Sequence, residues 1–155
     1  MTNPPFGFDV PEDSPGFLLW QTTMSWQRLI KKVLEPYNLS HAQFVIMAIL
    51  LWWHGKKKVV TQIDIVGMSK LDKMTVSKSL KKLVGLDLAV RHEHQEDTRA
   101  KSVQLTKSGV ALTRKLVPIV EGVDADFFGQ LKNTEEKDLL VFLQKLTVME
   151  DANKT

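Results

Sequence analysis

The run Phe44–Trp53, FVIMAILLWW, limits what this chain can fold into more than any other feature. Ten residues rise about 15 Å as a helix, half the thickness of a bilayer core, so the run is too short to span a membrane. It has no polar side to turn toward water, so as a helix it belongs at the centre of a folded domain. Ser40 precedes it and Gln43 stands three residues on, the two halves of a capping box. The predicted helix runs to His54 and stops at Gly55. The other elements have to wrap it, and a chain of 155 residues with 43% hydrophobic and 25% charged side chains has ordinary globular material for that.

The elements around this helix follow from local signals. Four of the six prolines fall in the first fifteen residues, an extended arm whose Phe6, Phe8 and Val10 either dock or trail as a tail. Gly16 to Glu35 reads as a helix that ends before Pro36. A short third helix starts near Thr61, Ser69–Lys70 is a turn, and Asp72 is the N-cap of a fourth helix reaching Val84–Leu86. Val76, Leu80 and Leu83 form its inward stripe. Leu88–His94 and Lys101–Leu105 read as the strands of a hairpin with Gln95–Ala100 as its turn. Thr106 caps a long helix that Pro118 and Gly122 are expected to bend or end. Thr134 is the expected cap of the last helix, with Glu135 and Glu136 in its first turn.

Charge is uneven along this layout. Residues 1–55 carry 3 basic and 4 acidic side chains, residues 56–115 carry 14 and 6, and residues 116–155 carry 4 and 8. The basic middle suits a polyanion. Within it, a short helix, a turn and a second helix make a helix-turn-helix, and the hairpin after it makes the whole a winged helix. Helical geometry turns Met74, Thr75, Lys78, Lys81 and Lys82 away from the stripe of Val76, Leu80 and Leu83. Lysines neutralise phosphates or reach guanine edges, and Met74 and Thr75 suit a thymine methyl. Lys73, Met74, Thr75 and Lys78 are the base-proximal candidates because the helix N-terminus enters the groove, while Lys81 and Lys82 fall nearer the phosphates. At the wing tip, Arg99 suits a narrow minor groove, Asp97 can hold its guanidinium, and Lys101 adds charge.

These residues resemble the MarR family of winged-helix regulators. Leu71-Asp72-Lys73-Met74-Thr75-Val76-Ser77-Lys78 matches its recognition helix, and Leu83 through Arg91 (LVGLDLAVR) the segment leading to the wing. Asp97-Thr98-Arg99-Ala100-Lys101, then Val103-Gln104-Leu105-Thr106-Lys107-Ser108-Gly109, resembles the family's D-x-R wing followed by V-x-LT-x-x-G. The element order agrees over about residues 17–148. Asp87 stands where the family usually has Gly, Thr98 replaces one of two basic tip residues, and Val66-Gly67 stands where Ala and a polar residue are usual. The resemblance implies a mainly α fold with a small β-hairpin wing, and an obligate homodimer. Residues 1–15 would be the arm, 16–54 and 106–155 the helical dimerisation region, and 55–105 the winged helix-turn-helix. Phe17, Leu18, Phe127, Phe128, Leu139, Phe142, Leu143 and Leu146 would meet the second copy. It further implies a transcriptional regulator on a pseudo-palindromic operator, most readily a ligand-responsive repressor. Trp20, Trp26, Tyr37, His41, Trp52 and Trp53 are the candidate lining of a pocket for a small aromatic effector.

Other chemistry is poorly supported. The chain has no cysteine, which removes disulfides, thiolate metal sites and thiol nucleophiles. His92 and His94 share one face of a strand, but two nitrogens alone make a weak metal site. Neither a phosphate-cradling glycine loop nor a catalytic serine or zinc motif is present, so no cofactor or enzymatic activity is expected. The first fifteen residues have neither a basic nor an apolar signal region, and a cytoplasmic location is expected. The rival reading is a helical protein-interaction module that keeps the winged-helix fold without binding DNA. Such a module would not require the cationic face of Lys78, Lys81 and Lys82 together with Arg99.

Overall fold

The structure is a computed structural model that describes residues 5–93 and 101–152, with side-chain detail for all of these except residues 93 and 149–152. Among the described residues, six α-helices and one antiparallel hairpin follow in the order α1 (Pro15–Leu34), α2 (His41–Trp53), α3 (Gln62–Ser69), α4 (Lys73–Gly85), β1 (Ala89–Glu93), β2 (Lys101–Leu105), α5 (Lys107–Phe128) and α6 (Asn133–Ala152). Mainly helical with a two-stranded wing, the architecture is the one the resemblance implies. Compact packing divides the chain between Ile119 and Val120, inside α5.

The first unit is organised around α2. The Gln43 N–H donates to Ser40 Oγ (3.1 Å), and the Ser40 N–H donates to Gln43 Oε1 (2.9 Å), which closes the expected capping box. Phe44, Ile46, Met47 and Leu50 are buried, and α2 touches α1, α3, α4 and β2. Its burial is not complete all round, since Trp52 is 68% exposed. From α1 only Ile30 and Leu34 are buried. Preceding α1, Pro11–Asp13 forms one 3-10 turn and Ser14 caps the helix through the Phe17 N–H. In the arm, Phe6 and Phe8 are exposed and stack on each other, with ring centroids 5.6 Å apart.

The helix-turn-helix is locally encoded. Thr61 and Asp64 form a second capping box at the start of α3. Lys70 ends α3 in the left-handed region (φ 61°) and so turns the chain toward α4. On α4, Val76, Leu80 and Leu83 are fully buried, as the stripe requires, with Ser79 beside them. Asp87 takes φ 58°, the conformation that explains why glycine is usual there. Its carbonyl accepts the Thr106 hydroxyl (2.7 Å), and Thr106 Oγ1 in turn accepts the Gly109 N–H (3.0 Å), so Thr106 caps α5. Gly109 meets a different constraint. A Cβ there would collide with the Leu88 carbonyl oxygen, so α5 can lie against the start of the wing only through glycine. The wing pairs Ala89 with Leu105 through Glu93 with Lys101. A third segment adds to its far edge, where the Val103 N–H donates to the Val60 carbonyl (2.8 Å) and Thr61 bridges to Ser102.

One sequence expectation is narrowed and one needs correction. Of the two outcomes expected at Pro118 and Gly122, an end is excluded, because α5 continues through both to Phe128. Proline removes one backbone donor, and the helix on either side is long enough to carry that loss. Nor does Thr134 cap the last helix, which already begins at Asn133. Glu135 Oε1 reaches back to the Lys132 N–H (2.8 Å), and the Lys132 carbonyl accepts the Glu136 N–H (2.9 Å), so the boundary lies two residues earlier. Considered alone, the second unit comprises the end of α5 and α6. Phe127 and Phe128 meet edge to face at 5.2 Å, and Leu139 is half-buried. Leu140, Val141, Phe142, Leu143, Leu146 and Val148 are all exposed.

Candidate nucleic-acid interface

Helix α4 begins with a doubly bonded cap. The Thr75 N–H donates to Asp72 Oδ1 (2.6 Å), and the Thr75 hydroxyl donates to Oδ2 (3.0 Å). These two bonds, the backbone one foremost, hold the Asp72 carboxyl below its ordinary value of 3.8, and the nearby Lys78 charge adds to them. The cap fixes Thr75 as well as the helix. With its proton committed to Asp72, the Thr75 hydroxyl is left to accept, while its methyl remains an apolar contact.

The outward face of α4 has the composition that helix geometry implies. Lys73, Met74, Lys78, Lys81 and Lys82 are exposed, Met74 by 67%, and Thr75 is half-buried beside them. Lys82 sits at the edge of this face. It lines a groove with Gln27 and Lys31 of α1, with Glu35 just after that helix, and with Ser40, His41 and Ala42 at the start of α2. Lys101 opens β2 opposite Glu93 and is half-buried. Asp97 and Arg99 lie outside the described residues, as does His94.

Sequence reasoning passed over Arg91 and Gln62. Arg91 Nη1 on β1 lies 3.5 Å from Gln62 Oε1 at the first residue of α3, tying the wing to the helix-turn-helix. The spacing of 29 residues left no local signal for that pair. The face can present several cations to a polyanion while its N-terminal residues enter a groove.

The six candidate pocket residues separate into groups. Trp26 meets His41 edge to face at 5.0 Å, and Lys115 Nζ lies 5.3 Å from the Tyr37 ring centroid. Trp52 and Trp53 stand at the opposite end of α2, about 20 Å along a 13-residue helix. Trp20 is exposed on α1. Of the outward apolar residues, Phe17, Leu18, Phe142, Leu143 and Leu146 are exposed, and Phe127, Phe128 and Leu139 are half-buried. Among the described residues, no group of three acidic or histidine side chains is placed to hold a metal, and no helix is long and apolar enough to cross a membrane.

Comparison with known proteins gives this geometry its context. The model of the ArnR1-like winged-helix domain matches residues 35–122, more than half of the chain. The Bacillus subtilis (strain 168) HTH-type transcriptional regulator YdcH is 34% identical over 139 residues, covering 90% of this chain and 93% of that protein. Among solved structures, BpsR of Bordetella bronchiseptica, whose DNA binding is regulated by 6-hydroxynicotinic acid, superposes with a TM-score of 0.79 at 25% identity, over 93% of this chain and 98% of that one. A MarR-family transcriptional regulator from Rhodococcus sp. RHA1 superposes with a TM-score of 0.80 at 19% identity, over 90% and 96% of the two chains. Built on this helix-turn-helix and wing, the chain belongs to the MarR family of winged-helix transcriptional regulators.

Proposed function

We propose that the protein is a homodimeric, ligand-responsive repressor that binds a pseudo-palindromic operator. The carrying observation is the α4 face: five exposed side chains, four of them lysines, stand along a helix whose N-terminal cap is locked by Asp72 and Thr75. In this reading Lys73, Met74, Thr75 and Lys78 meet base edges, Lys81 and Lys82 meet phosphates, and the wing adds Asp97, Arg99 and Lys101 at the neighbouring minor groove. Residues 55–105 carry DNA binding. Residues 16–54 and 106–155 carry dimerisation, supported by the row of exposed apolar side chains on α6. Two half-sites then follow from two-fold symmetry. That the DNA binding of BpsR is regulated by a small aromatic acid supports the ligand-responsive part. Occlusion of polymerase is the simplest outcome of such binding.

The test is footprinting on DNA upstream of the protein's own coding region, followed by titration of the protected duplex against random DNA. A protected site with two related halves, bound by two chains, is expected. Equal affinity for both duplexes, unchanged by Lys78→Ala and Arg99→Ala, would leave the helical interaction module as the better reading.

A further inference from the structure

The first unit leaves two complementary features open, and neither belongs to the α4 face. One is the N-terminal arm. Residues 5–14 carry three carboxylates, Asp9, Glu12 and Asp13, and no basic side chain. Every residue from Pro5 to Asp13 is exposed, and Phe6 and Phe8 stack on each other with their rings facing solvent. The arm stands on the capped start of α1, where the Asp13 N–H donates to the Val10 carbonyl and the Ser14 N–H to that of Pro11, both at 3.0 Å. The other feature is a basic cleft at the end of α2. Gly55, at φ +76°, turns the chain out of that helix, and Lys56, Lys57 and Lys58 follow, all exposed. Lys56 Nζ lies 4.2 Å from the Trp52 ring centroid, and Lys58 Nζ lies 5.0 Å from that of Trp53. Trp53 and the three lysines wall a cleft of about 180 Å³ against β2, with Leu50, Val60 and Val103 as its apolar side. The Trp53 ring nitrogen is buried and donates to nothing, alone in this among the described residues' side-chain nitrogens and oxygens.

Arm and cleft match in charge, size and hydrogen bonding. Three carboxylates face three ammonium groups, the complementarity that fixes partner and register at an interface. A cavity of about 150 Å³ admits a benzene ring, so the cleft has room for one phenylalanine side chain. An extended arm also brings backbone carbonyls, the kind of acceptor that the Trp53 N–H lacks. Within one chain both features stay open. Two copies related by a two-fold axis can close both at once, each arm filling the other's cleft. We propose that in the homodimer the N-terminal arm of each copy docks in the Lys56–Lys58 cleft of the other, with the Phe8 ring against Trp53 and the Asp9 carboxylate paired with Lys56 and Lys58. The cleft adjoins the strand segment where Val60 and Thr61 pair with β2 and Thr61 caps α3, so each arm clasps the winged helix of its partner. The inference rests on the homodimeric reading above.

The experiment is carbodiimide cross-linking of the full chain, which joins carboxylates to ammonium groups in contact. Equal amounts of ordinary and nitrogen-15-labelled chain are unfolded and refolded together, so that only a link between copies yields peptides of mixed isotope. Mass spectrometry should find mixed-isotope links from Asp9, Glu12 or Asp13 to Lys56, Lys57 or Lys58. Phe6→Ser/Phe8→Ser keeps every charge and should lose most of these links, and by sedimentation it should dimerise at least about tenfold more weakly. Both rings are exposed in the single chain, so the variant's circular dichroism should match the parent. Lys56→Glu/Lys58→Glu should abolish the links at those two positions, and adding Asp9→Lys/Glu12→Lys should restore them in the opposite sense. A parent that sediments as a single chain removes the homodimeric reading and this inference with it. A dimeric parent whose arm links are of single isotope, or absent, overturns the exchanged arm alone. Links that survive Phe6→Ser/Phe8→Ser undiminished overturn the docking and leave only a loose encounter of charges.

Discussion

Helices α2 and α6 are both rich in large apolar residues, yet they dispose of them in different ways. Helix α2 places Phe44, Ile46, Met47 and Leu50 inside its own chain, against three other helices and a strand. Helix α6 leaves Phe142 58% and Leu146 59% exposed, and every other residue of it with a described side chain is exposed or half-buried. A 20-residue helix with so little burial gains little from tertiary packing, the main source of helical stability in proteins. The contrast teaches that the winged helix is stabilised within its own chain, while the apolar side chains of α6 stay exposed. In the proposed reading a second copy covers them.

The largest expected effect tests that difference directly. At micromolar concentration, sedimentation or light scattering should report about twice the 17.6 kDa chain mass. Phe142→Glu/Leu146→Glu should reduce it to a single chain, because carboxylates at a closed apolar interface are strongly disfavoured. A parent that is already monomeric would dissolve the contrast between the two helices.

Next in size is a matched pair of truncations. Leu80 is fully buried on α4, so Leu80→Ala should destabilise by about 2–5 kcal/mol at any protein concentration. Leu146→Ala should shift thermal unfolding in a concentration-dependent way instead, since its partner surface is bimolecular. Equal, concentration-independent losses at both positions would show that α6 is packed within its own chain.

Within the winged helix, the face proposed to meet DNA is separable from the core that supports it. Lys78→Ala should weaken operator binding more than random binding, by about 1–3 kcal/mol per base contact, and leave the melting temperature unchanged. Lys82→Ala, at the edge of the face beside α1, should weaken all DNA alike and lower the magnitude of the salt slope by about one per contact. Identical losses for the two variants on both duplexes would place them in the same role.

Much of this was readable in the sequence because the controlling interactions are local. The Ser40–Gln43 box, the Asp72 cap, the stripe of Val76, Leu80 and Leu83 and the Thr106 cap each span a few residues, and each forms as expected. The outward set on α4 follows from the same geometry. The parts that were not readable depend on distant partners. Arg91 finds Gln62 across 29 residues, and Val60–Thr61 joins the wing only through β2. The aromatic residues of α1 and α2 share a composition, but Trp26 of α1 meets His41 at the first residue of α2, whereas Trp53 is the last residue of α2. At the start of α6, Thr134 was the expected cap, and the reach of Glu135 to the Lys132 N–H moved the boundary two residues earlier.

The smallest effect concerns the cap that holds the reading face in place. Asp72 accepts two bonds from Thr75, which lowers its carboxyl below the ordinary value of 3.8 in the folded chain. A carboxyl with a depressed folded-state value binds fewer protons folded than unfolded. Its contribution is therefore fully present above the ordinary value, and fades as pH falls through the lowered one. Asp72→Ala should melt slightly below the parent at neutral pH, while Asp72→Asn should stay close to it, since asparagine caps as well as aspartate. On acidification below 3.8 the gap between parent and Asp72→Ala should narrow, because the parent loses what the variant never had. The gap between Asp72→Asn and Asp72→Ala should persist, since neither side chain titrates. Thermal melts of the three proteins across that pH range decide the matter. A parent-to-alanine gap that stays constant into acid would mean that the Asp72 charge contributes nothing to the cap, and that the N-terminus of α4 is held by its other contacts.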